Sequence, residues 1–227
     1  YDSKKGLNWY DYGARHYDAV LGRFTTNDRF AEKYYSMSPY QYGANSPVGN
    51  IDVNGDSIII KPNANGIIDQ IKVLFGYDTK FQKDVKADLF QLKQDDKKVA
   101  DIIGKLEESK NIHYITMPKK GEYNSTGFNA DKVKKNISQG SEIYYNPYNR
   151  RRGRNDSDMR TPRIGLAHEL QHSFDVDKKV ATYERTKNGI LLMDIRAINT
   201  ENRIRKVIGE PKRTMYGTQK VPKELLE

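Results

Sequence analysis

The sequence predicts an α+β fold, because short runs of strand type occur beside longer segments with helical periodicity. The strand-type runs lie at residues 57–61, 113–117 and 142–146 and are bounded by turn-forming residues. Two further segments, one after Thr161 and one ending at Ile208, have the start and stop signals of helices. These signals predict a domain that mixes a small sheet with several helices.

Each element follows from a local pattern. The run SIIIK at 57–61 is apolar and β-branched, as are the cores of HYITM at 113–117 and EIYYN at 142–146. The connection between the last two is rich in Gly, Asn and Ser, which favours turns. Residues 81–110 predict one or two amphipathic helices, since apolar residues recur at helical spacing. They are Phe81, Val85, Leu89, Leu92, Val99, Ile102, Ile103 and Leu106.

The first 56 residues differ in composition from the rest of the 227-residue chain. They carry 6 basic and 7 acidic side chains and 8 of the 16 tyrosines, whereas residues 57–227 carry 33 basic and 23 acidic side chains. A break of this kind predicts a domain boundary. We therefore expect a β-rich segment at 1–56, with strands in aromatic runs such as 9–12 and 38–42, and a second domain at 57–227.

Composition also limits the function. The net charge of +9 makes nucleic acid a partner to consider. The absence of cysteine excludes disulfides, thiolate metal sites and cysteine nucleophiles. No apolar run approaches the ~20 residues that span a bilayer, so we expect no membrane span. The chain starts at Tyr1 without a signal-peptide pattern, which suggests a piece of a longer protein.

The chemistry is indicated by His168-Glu169-Leu170-Gln171-His172, an HExxH sequence. Thr161 and Pro162 are suited to the N-cap and first position of the helix that carries it. Residues four apart on a helix are neighbours, so both imidazoles can reach one ion. Zn²⁺ suits two neutral imidazoles and a carboxylate, with one position left for water. Glu169 is placed to take a proton from that water.

A third metal ligand is expected downstream, on a helix predicted at 189–208 with Gly209 as its stop. Asp194 and Glu201 share a face of this helix with the small Ala197, which would allow close approach to the HExxH helix. Glu201 has the longer reach and Asp194 the shorter, so spacing does not choose between them. Asp175 shares the histidine face of the first helix and is a further candidate, as a ligand or as a partner of a ligand.

The stretch GLNWYDYGARHYDAVLGRFTTNDRFAEKY, followed by SPYQYGANSPVGNIDVNGD, resembles the RHS-repeat-associated core segment, over about residues 6–55. That segment ends the tyrosine–aspartate repeat shells of polymorphic toxins. The resemblance implies that residues 1–56 complete a larger RHS shell and that a toxin domain follows. Many members carry Asp-Pro-x-Gly at the end of the core, in connection with self-cleavage. Here the sequence is Asp52-Val53-Asn54-Gly55, which argues against self-cleavage.

Residues LAHELQHSFD, followed by DIRAINTENRIRKVIGEPKRTMYG, are similar to the zinc metallopeptidase effector family of secreted bacterial virulence proteins, over about residues 164–217. This resemblance implies a small zincin-like domain, with the HExxH helix against a few antiparallel strands and the downstream helix closing the metal site. It ranks Glu201 slightly above Asp194 as third ligand. It also makes Tyr216 the candidate phenol that assists the reaction, with Tyr183 second.

Together the two resemblances imply a zinc-dependent metalloendopeptidase at the tip of a secreted RHS toxin. We expect delivery into the cytosol of a recipient cell by a type VI or similar route, a target-cell protein as substrate, and a cognate immunity protein that blocks the site. The expected reaction is peptide hydrolysis by zinc-activated water, with Glu169 as general base. The strand at 142–146 is a hypothetical partner for an extended substrate.

Two other functions compete with this one. The charge of residues 57–227 would suit a nuclease tip, and Arg150-Arg151-Arg152-Gly153-Arg154 could bind phosphates, although such a run is usually a solvated loop. The chain lacks a paired-carboxylate nuclease motif, so nucleic acid is the less favoured partner. The third possibility is a non-catalytic binding module with a vestigial metal site. His113, inside a predicted strand, is expected to be a packed histidine and not a ligand.

Overall fold

The computed structural model describes residues 9–11, 15–27, 38–40, 42, 57–63, 66–74, 77–150 and 160–227. The described residues contain six helices and three separate β-sheets, which confirms the predicted α+β class. No helix among them is both long and apolar enough to cross a membrane.

A small antiparallel sheet forms in the first segment. Its strands, in the order β1-β2-β3, are β1 (Trp9–Asp11), β2 (His16–Asp18) and β3 (Arg23–Phe24). The predicted strand at 9–12 is therefore present at 9–11. The prediction of a strand at 38–42 is wrong for Ser38–Tyr40, which is a turn, and residue 41 lies outside the described residues. Pro39 explains this difference, since a proline has no N–H to contribute to a ladder.

The main sheet is mixed. Its strands are β4 (Ile58–Ile60), β5 (His113–Thr116), β6 (Ser125–Gly127) and β7 (Ser141–Tyr144). The strand order in this sheet is β4-β5-β7-β6. Strands β4, β5 and β7 are parallel to one another, and only β6 is antiparallel to its neighbour. The expectation of antiparallel strands is thus wrong for most of the sheet. Long helical connections between the strands allow the parallel pairing.

The position of β7 corrects a second expectation. Strand β7 pairs with β5 on one side and β6 on the other, so its backbone is already engaged. It cannot accept an extended substrate as a new neighbour. The edges of the sheet are instead β4 and β6. Strand β6 is a three-residue strand in the connection that the composition assigned to turns.

Residues 81–110 form two helices. They follow α1 (Ile67–Leu74) and are α2 (Lys80–Asp95) and α3 (Lys97–Glu107). Thr79 and Gln82 form a capping box at the start of α2. Asp96 ends α2 and caps α3 by accepting hydrogen bonds from the backbone N–H groups of Lys98 and Val99, so the break lies at this residue. A short helix, α4 (Ala130–Lys134), follows β6.

Helix α5 (Pro162–Asp177) is the centre of the domain and is buried on nearly every face. It packs against α2, α3, β6 and β7 and most extensively against α6 (Leu192–Ile208). Its Leu166, Ala167 and Leu170 are fully buried in the main core. Burial on all sides fixes the rotation of α5, which determines where the HExxH side chains point.

The ends of these two helices differ slightly from prediction. Thr161 occupies the N-cap position of α5, but its hydroxyl donates a 2.7 Å hydrogen bond to Glu210 and does not cap the helix. Helix α6 starts at Leu192, three residues after the predicted Gly189, which has a φ of 87°. It ends as predicted at Gly209, whose φ of 74° is left-handed.

The tail after α6 was not predicted. It forms a two-stranded hairpin, β8 (Met215–Tyr216) and β9 (Gln219–Lys220), and a 3₁₀ turn at Lys223–Leu225. The hairpin matters because it carries Tyr216.

His113 on β5 is fully buried, and its Nδ1 lies 2.9 Å from Ser141 Oγ. This agrees with its prediction as a packed histidine.

Neighbouring residues on α2 test its orientation. Leu89 is buried in the main core, whereas Phe90 is 65% exposed. We expect Leu89→Ala to lower the free energy of unfolding by about 2–5 kcal/mol, because it leaves a cavity. Phe90→Ala is the matched control and should change it by less than about 0.5 kcal/mol. Urea denaturation of both variants makes the comparison, and equal losses would contradict the placement of α2.

Candidate functional site

The HExxH side chains of α5 line one pocket, between the edge strand β6 and the start of α6. Helix α5 supplies His168, Glu169 and His172, and α6 supplies Met193 and Asp194. Further lining residues come from β6, from the segments before α5 and α6, and from the tail. They are Asn124, Ser125, Thr126, Phe128, Arg160, Tyr183, Leu191, Arg213 and Tyr216. The predicted site residues thus meet in one place, with the exceptions described below.

The two histidines are neighbours on α5, as their spacing predicts. Their ring centroids are 5.0 Å apart and the rings are nearly perpendicular. The Nδ1 atom of each is buried, so Nε2 is the nitrogen that faces the pocket. Burial, assisted by His168 and Arg196, lowers the pKa of His172 to about 3. His172 is therefore a neutral imidazole near pH 7, which is the form that binds metal ions.

Glu169 lies between the pocket and β6. Its side chain is buried, and Thr126 Oγ1 donates a hydrogen bond of 2.8 Å to its Oε2. Burial raises the pKa of Glu169 above the ordinary value, against the opposing effects of His168 and Thr126. A raised pKa suits a general base, because the carboxylate then holds a proton more readily in the course of a reaction.

Asp194 is the carboxylate of α6 that faces the histidines. Its Oδ1 lies 3.7 Å from His172 Nε2. The Tyr216 phenol is a neighbour of this carboxylate in the pocket. Burial raises the pKa of Asp194 against the opposing effects of His168, Tyr216 and two arginines. No Lys or Arg among the described residues forms an ion pair with this carboxylate. Asp194 thus has the position and the unmet negative charge expected of a metal ligand.

Glu201 lies behind His168, outside the pocket. Its Oε2 is 3.4 Å from His168 Nδ1, and its oxygens accept hydrogen bonds from Arg205 at 2.9 and 3.0 Å and from Arg213 at 2.7 Å. Burial opposes ionisation, but His168 and the guanidinium groups of Arg213 and Arg160 hold the pKa of Glu201 well below its usual range. The geometry therefore favours Asp194 over Glu201 as the third ligand, and Glu201 as the partner of His168.

Asp175 has a structural role. It is fully buried, and its carboxylate accepts hydrogen bonds from Gln171 at 2.8 Å and Arg196 at 2.9 Å. Gln171 in turn accepts a hydrogen bond from Thr200. Asp175 does not line the pocket, so it joins α5 to α6 and is not placed to hold a metal.

The two candidate phenols both reach the pocket. Burial and the neighbouring Asp194 raise the pKa of Tyr216 to about 12, so its hydroxyl is protonated and can donate a hydrogen bond. Tyr183 also lines the pocket but is 40% exposed. Tyr216 is the less exposed of the two, Arg213 lies 5.5 Å from its ring centroid, and its backbone pairs in the hairpin.

Sequence reasoning did not single out several residues that line the pocket, among them Thr126, Asn124 and Arg160. Thr126 and Asn124 come from β6 and its flank, where Ser, Thr, Gly and Asn are typical of turns. Arg160 stands directly before the helix start and gives no signal of its own, because arginines are common in this chain. Their positions depend on how β6 and α5 meet, which no local pattern predicts.

The donor set of the pocket fits zinc. The two imidazoles, at least one of them neutral, and the Asp194 carboxylate lie on its wall, and two imidazoles with one carboxylate are a combination that Zn²⁺ favours when a position is kept open. Among the described residues, no three His, Cys, Asp or Glu side chains are already grouped as tightly as a bound ion requires. The side chains of His168, His172 and Asp194 would therefore have to move closer together to bind one ion.

Comparison of the chain with protein-family models, with curated proteins and with solved structures finds no match. The two resemblances described above thus remain predictions. The function has to be argued from the site itself.

Glu201 is paired with arginines and Asp194 is not, so substitutions at the two positions should change the free energy of unfolding by different amounts. Glu201→Gln should lower the free energy of unfolding of the metal-free protein by about 3–5 kcal/mol, because Arg205 and Arg213 would lose their buried counter-charge. Asp194→Asn should change it by less than about 1 kcal/mol, since this carboxylate is not paired with a cation. Urea denaturation at pH 7 with chelator present measures both. A larger loss for Asp194→Asn would reverse our assignment.

Proposed function

We propose that residues 57–227 form a zinc-dependent peptidase. The observation that carries the proposal is the meeting of His168, His172 and Asp194 in one pocket with the buried Glu169 beside them. His168, His172 and Asp194 would hold the metal. When bound there, zinc would polarise the substrate carbonyl and lower the pKa of a water molecule.

Glu169 is the general base of the proposed reaction. Its carboxylate would accept a proton from water and pass it to the amine of the leaving peptide. The hydrogen bond from Thr126 orients the carboxylate, and burial raises its affinity for the proton. Glu201 would act through His168, because its Oε2 lies 3.4 Å from Nδ1 and a hydrogen bond there would keep Nε2 toward the pocket.

Tyr216 and β6 supply the remaining parts. The protonated phenol of Tyr216 could donate a hydrogen bond to the negative oxygen that develops on the substrate. Strand β6 is the edge strand of the main sheet on the side of the pocket, and its Ser125 and Thr126 line the pocket. An extended peptide could pair with this edge, and that role passes to β6 from the strand at 142–146.

The biological setting is proposed from the two sequence resemblances alone. In that setting the peptidase is the tip of an RHS toxin, residues 1–56 belong to the shell, and the tip acts on a protein in the cytosol of a recipient cell. A cognate immunity protein would block the pocket. The zincin-like arrangement is likewise part of this proposal, since the structure itself supports the α+β class.

Glu169→Gln tests the proposed activity. It should reduce peptide hydrolysis by roughly 10²–10⁴-fold, because it removes the proton acceptor while His168, His172 and Asp194 remain. The measurement is mass spectrometry of new protein N-termini in a bacterial lysate treated with the zinc-loaded protein. Zinc content of both proteins is measured in parallel and should be equal.

Glu224→Gln is the matched control, since Glu224 is exposed on the C-terminal 3₁₀ turn. It should cleave as the parent does. Equal cleavage by the parent and Glu169→Gln, or no cleavage by a parent that carries zinc, would refute the proposal. Nicking of plasmid or RNA by a metal-stripped sample would favour the nuclease alternative, and zinc binding without any hydrolysis would favour the binding module.

A further inference from the structure

Arg160 is a buried cation on the wall of the pocket. Its side chain is only 4% exposed, yet it lines the pocket together with His168 and Glu169. Its Nε is buried and has no hydrogen-bond partner among the described residues. A buried donor without a hydrogen bond is energetically costly, so a bound ligand that accepts hydrogen bonds from this guanidinium would be favoured.

The carboxylate nearest to Arg160 is already shared. Arg160 Nη1 lies 3.4 Å from Glu201, whereas Arg205 and Arg213 donate closer hydrogen bonds to the same carboxylate. Arg205 has a second acidic partner in Glu210, at 3.2 Å. Three guanidinium groups therefore converge on one buried carboxylate, and Arg160 is the least compensated of them.

A second donor lies beside Arg160. A Cβ atom added at Gly165 would be 2.6 Å from Arg160 Nη2 and 2.6 Å from Asn124 Nδ2. The two nitrogens are thus separated by no more than twice that distance. The other end of the Asn124 amide is occupied, because its Oδ1 accepts a 3.1 Å hydrogen bond from the Asn146 N–H. Both nitrogens therefore pack against Gly165 of α5, one turn before Glu169.

We propose that Arg160 and Asn124 form a carboxylate-binding subsite that makes the peptidase selective for acidic peptides. A guanidinium and an amide NH₂ that are close neighbours can both donate hydrogen bonds to one carboxylate. The inference rests on the proposed peptidase function and names its substrate class. The carboxylate can come from an Asp or Glu side chain near the scissile bond or from the C-terminus of the substrate.

Binding without turnover tests the subsite. The zinc-loaded Glu169→Gln protein is dialysed against three pools of random octapeptides, and bound peptides are quantified by mass spectrometry. The first pool has a fixed central Glu and capped ends, the second a central Gln and capped ends, and the third a central Gln and a free C-terminal carboxylate. We expect the first or the third pool to bind at least roughly tenfold better than the second, since hydrogen bonds to charged groups are strong.

The pool that is enriched identifies the source of the carboxylate. Enrichment of the central-Glu pool indicates an acidic side chain, and enrichment of the free-end pool indicates the C-terminus. Equal binding of all three pools would overturn the proposal.

Three further changes in the Glu169→Gln background locate the effect. Arg160→Gln should abolish the preference. Gly165→Ala should abolish it as well, because its Cβ displaces both donors while alanine stabilises a helix, so folding is retained. Arg150→Gln removes an exposed guanidinium and should leave the preference intact. A preference that survives Gly165→Ala in a folded protein, or that falls equally in Arg150→Gln, would show that general positive charge is responsible and would overturn the subsite.

This design separates the two proposals. Peptide binding is measured on a protein that cannot turn over, so selective binding supports the subsite even if the parent cleaves nothing. Conversely, cleavage by the parent without selective peptide binding would support the proposed peptidase function and overturn the proposed subsite.

Discussion

The site is organised around the buried carboxylate of Glu201 on α6. Its oxygens contact guanidinium groups from α6 itself, from the tail and from the segment before α5. It also meets His168 Nδ1 on α5. One charge therefore ties together four parts of the chain. Such a cluster is expensive to desolvate, and it is stable only while its partners are all present.

The two acidic residues of α6 have different surroundings and different roles. Glu201 is surrounded by cations and keeps a low pKa, which fits a residue that orients a neighbour. Asp194 is buried without a direct cation and has a raised pKa, which fits a residue that awaits a positive ligand. Two acidic residues of α5 differ in the same way, since Asp175 pairs with Arg196 whereas Glu169 faces the pocket.

Local patterns account for the parts of this structure that were predicted. The HExxH pair depends only on helical spacing, and the stop at Gly209 follows from capping. The choice between Asp194 and Glu201 could not be made this way, because both lie on one face of α6 and their partners are distant in sequence. The parallel pairing of β4, β5 and β7 and the existence of β6 likewise depend on tertiary contacts.

The most direct test of the account is a zinc-soaked crystal of residues 1–227, examined by anomalous diffraction at the zinc edge. We predict one strong peak within bonding distance of His168 Nε2, His172 Nε2 and the Asp194 carboxylate, with Glu201 still bound to Arg205 and Arg213. A peak coordinated by Glu201 in place of Asp194, or zinc bound away from the two histidines, would contradict the account.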